Sequence, residues 1–299
     1  MPLSKKVILE KYKYLYLHFI ILLWGFTPVL GKLISLQAFD LVWWRLLISS
    51  LSLFVFIYIK QHSLKISFKD SIPVIIMGFI VGAHWFFFYH AIKVSNVSIA
   101  LSGFSTITIF ASIMQPIFLG KKFFWGDLVY GFIILLGLAF ILHYEAFALS
   151  GVLYGVLAAL TGAAFGVYNG KLIVKHNSSV ITLIEFLGAF FIISIAKLFD
   201  DDFYKFVPTL GLHDLIYLLI LSILCTTVAF TLSVEILKQF DPFTVIITNN
   251  LEPIYGVIFS LMIFGESEMM TKQFYYGAFI ILLSVFTYPF VKKKYYKAI

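Results

Sequence analysis

Ten nearly continuous apolar stretches divide the chain, at residues 14–30, 41–59, 72–91, 98–119, 125–143, 148–169, 180–199, 215–234, 243–264 and 274–291. A hydrocarbon core about 30 Å thick takes about 20 such residues as a helix, and these runs show none of the period-two alternation of a membrane barrel. The pattern predicts an all-α integral membrane protein of ten transmembrane helices joined by short links.

Charge orients the crossings. Lys and Arg are held on the cytoplasmic side of a membrane. With both termini cytoplasmic, 16 of the 22 basic residues fall inside, and Lys32, Arg45, Lys93, Lys197, Lys205 and Lys272 fall in the outer half. The acidic run Asp200-Asp201-Asp202 also falls outside. The net charge of +7 is thereby explained by topology, and no nucleic-acid partner is needed.

Composition agrees. Apolar residues make up 61% of the 299 positions and charged ones 12%, where soluble domains carry about 25% charge. The one cysteine, Cys225, lies inside an apolar run, so no intrachain disulfide or cysteine metal cluster is expected. The first apolar run lacks a small-residue cleavage site and reads as a retained helix.

The tetrapeptide GKLI ends the first run at 31–34 and recurs at 170–173, a shift of 139 (170 − 31). Later in each half the shift is 145: Lys93 pairs with Lys238, Thr108 with Pro253, Gly120 with Gly265 and Lys121 with Glu266 (238 − 93, 253 − 108, 265 − 120, 266 − 121). Five crossings per half is an odd number, so the second copy enters the membrane from the opposite side. The expectation is two inverted-topology repeats, residues 1–146 and 147–299. Lys171 then obeys the positive-inside bias and Lys32 violates it, which marks Lys32 for function.

Ionisable groups inside a bilayer are costly and usually face a cavity or a partner. Glu252 shares a helical face with Asn249 and Gly256, and Pro253 frees a backbone carbonyl one turn back. This reads as a substrate or proton site, or as a structural glutamate paired with a neighbouring helix. Arg45 and Glu185 occupy near-equivalent places in helices 2 and 7 at opposite depths; each reads as a gate charge or as a side chain reaching its own interface. Helix 3 carries GAHWFFFYHA, with His84, Trp85 and Tyr89 candidates for an aromatic cavity wall holding a titratable group; the plainer account packs the aromatics on lipid or other helices. Ser98, Ser102, Ser105 and Ser112 form a stripe expected to bond neighbouring helices, and Gly151, Gly155, Gly162, Gly166 and Gly170 form a close-packing ridge, with Tyr168 and Asn169 beside it as cavity groups.

The segments WGFTPVLGKL from Trp24, DLVWWRLL from Asp40, HAIKVSNVSIAL from His90 and LEPIYGVIFSLMIFGES from Leu251 resemble the EamA-type transporters of the drug/metabolite transporter superfamily. The resemblance covers nearly the whole chain. It places Lys32 on the lysine that ends the family's first helix, Arg45 on the arginine of its second, and Pro253 and Gly265-Glu266 on the proline and Gly-Glu of the penultimate helix of a half. The first half departs from this, with Thr108 for the proline and Lys121 for the glutamate; Pro116 then predicts a kink nearer the cytoplasm in helix 4.

The resemblance implies a carrier of small metabolites such as amino acids. With no GxxxxGK[ST] phosphate loop, the expected energy source is a gradient or exchange, with proton coupling one form of it. The expected setting is the plasma membrane, the bacterial inner membrane, with the lipid bilayer and a small-molecule substrate as partners and a monomer or homodimer as the assembly. No cofactor, metal or catalytic cluster is expected. A channel, a scaffold or, last, a membrane-embedded enzyme are the alternatives; neither a carbonyl filter nor an HExxH pattern is present.

Overall fold

A computed structural model describes residues 3–121, 123, 125–144, 149–199 and 210–298. The acidic run Asp200-Asp201-Asp202, Lys205 and the expected boundary at 146 lie outside the described residues.

Backbone polar groups in a bilayer must be satisfied within their own segment, and helices do so without a partner. The order is α1 Leu3–Gly25, α2 Thr27–Leu33, α3 Ala38–Ile59, α4 Phe68–Val94, α5 Val97–Phe104, α6 Ile107–Leu119, α7 Trp125–Tyr144, α8 Leu149–Leu172, α9 Ser178–Lys197 and α10 Leu212–Leu219. A π-helical stretch Ile220–Val228 continues α10 into α11 Ala229–Ile236; α12 Pro242–Asn249, α13 Leu251–Phe264 and α14 Lys272–Ala298 follow. Among the described residues, eight segments are long and apolar enough to cross a membrane, and Leu128–Ile141 is a shorter apolar helix.

Polar side chains start several helices. Asn96 Oδ1 accepts from Ile99 N at 2.8 Å, and Asn177 Oδ1 accepts from Ser179 N at 2.9 Å. Ser67 and Asp70 cap α4 reciprocally, at 3.1 and 2.8 Å.

Three crossings break into two helices. The first breaks at Phe26, where Pro28 opens α2 and the Thr27 hydroxyl bonds Trp24 O at 2.8 Å. The fourth breaks between α5 and α6, where the Ser105 and Thr106 hydroxyls bond back to Leu101 O and Gly103 O. The kink expected from Pro116 is therefore misplaced, since that residue sits inside α6. The ninth breaks at Asn250, three residues before Pro253.

These breaks follow the sequence offset. The short helices α5 and α12 start 145 apart (242 − 97) and end 145 apart (249 − 104). Gly120 and Gly265, also 145 apart (265 − 120), both adopt positive φ, at 64° and 56°. Packing places α5 on α13 and α6 on α12, so the two broken segments run antiparallel where they cross. At that crossing Asn250 Nδ2 donates to Thr108 Oγ1.

Small residues permit the closest contacts. A Cβ at Gly103 would stand 2.5 Å from Val152 O, and one at Gly155 2.5 Å from Ala100 O. The ridge on α8 packs as expected at Gly151, Gly155 and Gly170, which face Ser95, α5 and Pro242. The serine stripe corrects the expectation: Ser102, Ser105 and Ser112 bond carbonyls of their own segments, which satisfies each hydroxyl without a neighbour, and only Ser98 reaches another element.

Candidate functional site

A cavity of about 80 Å³ lies where α1, α3, α4, α8, α11 and the two broken crossings converge. Its charged walls are Arg45 and Glu252, its amides Asn169 and Asn249, and its rings include Trp24, His84, Trp85, Phe165 and Phe230.

Arg45 occupies the centre of this arrangement. Its side chain is buried, with Nε donating to Thr226 Oγ1 at 2.7 Å and Nη1 to Tyr89 Oη at 2.8 Å. The guanidinium carbon lies 3.9 Å from the centre of the Trp85 ring. Thr226 stands in the π-helical stretch, where its hydroxyl also reaches Leu221 O at 2.6 Å, five residues back. Arg45 thus does not reach for an interface; fixed donors and an aromatic face hold it in the wall. Tyr89 is fully buried behind it, its ring seated where a Cβ at Gly31 would go, so it supports the site from outside the cavity.

His84 is held by its Nδ1, 2.7 Å from Ala158 O, inside a ring of Phe88, Phe104 and Phe165. The carbonyl can accept only from a protonated Nδ1, so in the neutral ring Nε2 is the free acceptor. Trp85 stands edge-on to Phe230, the residue 145 positions later (230 − 85), at 5.9 Å. Neither Trp85 nor Tyr89 lies on lipid.

Glu252 begins α13 and Asn249 ends α12, so the break at Asn250 presents both to the cavity. Gly256 lets α13 approach closely, because a Cβ there would meet Leu101 at 2.5 Å. Asn249 Oδ1 and Asn169 Oδ1 are buried without hydrogen-bond partners. Both oxygens are therefore acceptors open to a bound solute or water. Gly162 and Gly166 also line the cavity, a role the packing expectation did not give them.

Three expected residues lie elsewhere. Glu185 is fully buried on α9, with Oε2 accepting from Asn169 Nδ2 at 3.3 Å, rather than reaching its interface. Tyr168 turns away from the cavity, edge-on to Phe118 and under Lys171 Nζ. Lys32 is at one end of the bundle, 2.8 Å from Glu268 Oε1 and over the Phe264 ring.

Glu268 went unread in the sequence, where attention falls on Glu266 of the Gly-Glu pair. Its carboxylate is fully buried and accepts from Val97 N and Ser98 N, each at 3.2 Å, and from Ser98 Oγ at 3.4 Å. A carboxylate at a helix start is favoured by the exposed N–H groups and the helix dipole. At the same end Lys197 pairs with Asp40, and Lys93 donates to Ile34 O. Lys32, Lys93 and Lys197 are thus each tied to an acceptor.

The opposite end holds the start of α1 and the end of α14. Tyr14 packs on Phe240 at 5.0 Å, and Tyr288 on Phe243 at 5.2 Å. The cavity reaches Leu237 and Val245 on that side. At that end Lys121 pairs with Asp241, and Gln115 Nε2 donates to Asp241 Oδ2 at 2.7 Å.

A larger crevice of about 320 Å³ between α5, α13 and α14 has no charged group in its walls. Its serines are engaged as described above, and Phe279 at its rim is exposed. Such a groove offers a solute no polar anchor.

Comparison with known proteins fits this arrangement. A curated relative in Haemophilus influenzae, described as an uncharacterized transporter, is 24% identical over 281 residues, covering 87% of this chain and 88% of its own. A solved crystal structure superposes with a TM-score of 0.70 at 13% identity, over 94% of this chain and 97% of the other, a likeness of fold. The EamA-like transporter family matches twice, over residues 11–143 and 149–288, so this chain is a multi-pass membrane protein belonging to that family.

Proposed function

We propose that the chain is a secondary carrier of small metabolites, amino acids or related compounds, working as an exporter or exchanger in the bacterial inner membrane. In this reading residues 1–146 and 147–299 are five-helix halves of opposite orientation, ten crossings in all, with both termini cytoplasmic. The shared 145-residue offset of the two breaks and the antiparallel crossing of α5–α6 with α12–α13 support it.

One observation carries the carrier reading. Arg45 and Glu252 share a cavity at the breaks of two helices, and Lys32 pairs with Glu268 at one end of the bundle. A zwitterion meets opposite charges there: the Arg45 guanidinium for a carboxylate, and Glu252 with the amide oxygens for an ammonium group. The rings of Trp85 and Phe165 suit an apolar body. At about 80 Å³ the cavity holds only a few waters, each needing roughly 10–15 Å³. A metabolite is admitted when the walls part, and the cavity's lean toward Leu237 and Val245 makes the cytoplasmic end the nearer opening.

Purified protein in liposomes, supplied with radiolabelled amino acids, is expected to take up at least one of them saturably and with trans-stimulation. Flux strictly linear in concentration indicates a channel, and chemical conversion of the solute an enzyme; either result overturns the proposal.

A further inference from the structure

We infer that Glu185 is the proton-carrying group of this carrier, set behind the cavity and joined to it through Asn169. The inference rests on the carrier reading above and deepens it.

Glu185 is 0% exposed, and Asn169 Nδ2 is its hydrogen-bond donor, leaving Oε1 without a partner. Asn169 lines the cavity, and its own Oδ1 is unpartnered. Thr182, three residues before Glu185 on α9, has a buried hydroxyl that is also unpartnered. This part of α8 and α9 therefore contains three orphaned oxygens. Each of the three has hydrogen-bonding capacity to spare.

Among the described residues, the charged groups on the elements around Glu185 are turned to other partners. On α3, Arg45 is turned to Tyr89 and Thr226, and Asp40 to Lys197. On α4, His84 is turned to Ala158; on α11, Glu235 is paired with Lys238; on α8, Lys171 lies over Tyr168. Burying an uncompensated charge is costly, and a proton on the carboxyl removes that cost. The group is thus able to remain buried with a proton and must be uncovered to part with it.

The packing shows how it is uncovered. A Cβ at Gly78 would lie 2.5 Å from Glu185 O, so α4 backs the residue with main chain at close range. Its other cover is Asn169 on α8, which also walls the cavity. A solute ammonium that binds Asn169 Oδ1 pulls on the same amide whose Nδ2 donates to Glu185, so a shift of that side chain alters the cover of the carboxyl. Solute and proton then act on each other's binding through one side chain, and that linkage is reciprocal.

The test uses the full-length protein in liposomes of phosphatidylethanolamine and phosphatidylglycerol, with the radiolabelled amino-acid set as probe. Two quantities are read: exchange at equal pH, and accumulation under a pH step of one unit. One-to-one coupling supports about tenfold accumulation for that step, since 1.4 kcal/mol is tenfold. Glu185→Gln is expected to keep exchange within about twofold, as the amide replaces the neutral acid, and to lose accumulation altogether; Glu185→Asp is expected to restore part of it. Wild-type protein that exchanges but never accumulates, or a Glu185→Gln protein that accumulates like wild type, overturns this inference and leaves the carrier reading standing. Wild-type protein that moves no amino acid overturns both. A Glu185→Gln protein that loses exchange and accumulation equally assigns Glu185 a structural role and also overturns it.

Discussion

The guanidinium carbon of Arg45 lies over the indole of Trp85, 3.9 Å from its centre, while two of its N–H groups are spent on Tyr89 and Thr226. A cation held this way is fixed in place before any solute arrives, and its remaining donors are the ones available to a carboxylate. Lysine supplies the charge but neither the planar fork nor the stack. Arg45→Lys is expected to weaken solute binding by about 1.5–3 kcal/mol, the range for hydrogen bonds to charged groups. Half-saturation in liposome uptake checks this; an unchanged value removes Arg45 from the site.

Glu252→Gln retains the shape of the cavity and removes its negative charge. Transport is expected to fall at least tenfold while the detergent-purified protein stays monodisperse by size-exclusion chromatography, the loss of a charge-assisted contact of about 1.5–3 kcal/mol. Uptake at the full rate would make Glu252 structural.

His84→Ala takes away a donor to Ala158 O and empties space between three phenylalanines. The expected cost is about 2–4 kcal/mol in stability, from a lost hydrogen bond and a cavity together, with Thr161 Oγ1 still donating to Ala158 O. The melting temperature should fall, and any pH dependence of uptake should shift. A pH profile identical to wild type assigns His84 to packing alone.

Lys32→Ala is expected to loosen its end of the bundle by removing the cation from Glu268, which keeps its backbone donors. In a Cys225→Ala background, a Thr27→Cys probe should react faster with a membrane-impermeant thiol reagent added outside once Lys32 is replaced. Equal rates with and without Lys32 would separate that ion pair from closure.

Gly103→Ala tests the contact between α5 and α8. The added methyl would stand 2.5 Å from Val152 O, a backbone atom that cannot rotate away. Overpacking of this kind costs about 1–3 kcal/mol, and thermal denaturation should register it.

Much of the fold was legible because a bilayer imposes one strong rule, long apolar helices, and most of the ten stretches coincide with described helices. The interruptions were harder to read. Pro253 announced the break at Asn250, but the matching break at Ser105 and Thr106 is made by hydroxyls folding back on their own carbonyls, which leaves no proline behind. The site was half visible. His84, Trp85, Asn249 and Glu252 stood out as polar or aromatic groups in mid-helix, and the structure brings them to one cavity. Arg45 was read as a gate charge or a side chain reaching its interface, since nothing local to it reveals the partners Tyr89 and Thr226, 44 and 181 positions away. Glu268 was hidden for a related reason: its donors come from α2 and α5, and Glu266 two residues earlier is an equal candidate by sequence.

The carboxylates paired with lysines at the two ends differ in their contact with water. Asp241 and Lys121 are 32% and 48% exposed, whereas Glu268 is fully buried beside a Lys32 that is 29% exposed. Dissolved ions screen the first pair far more than the second, with a Debye length of about 8 Å at physiological strength and about 3 Å at 1 M. Salt therefore weighs unequally on the two ends, and raising it first loosens the end that holds the start of α1 and the end of α14.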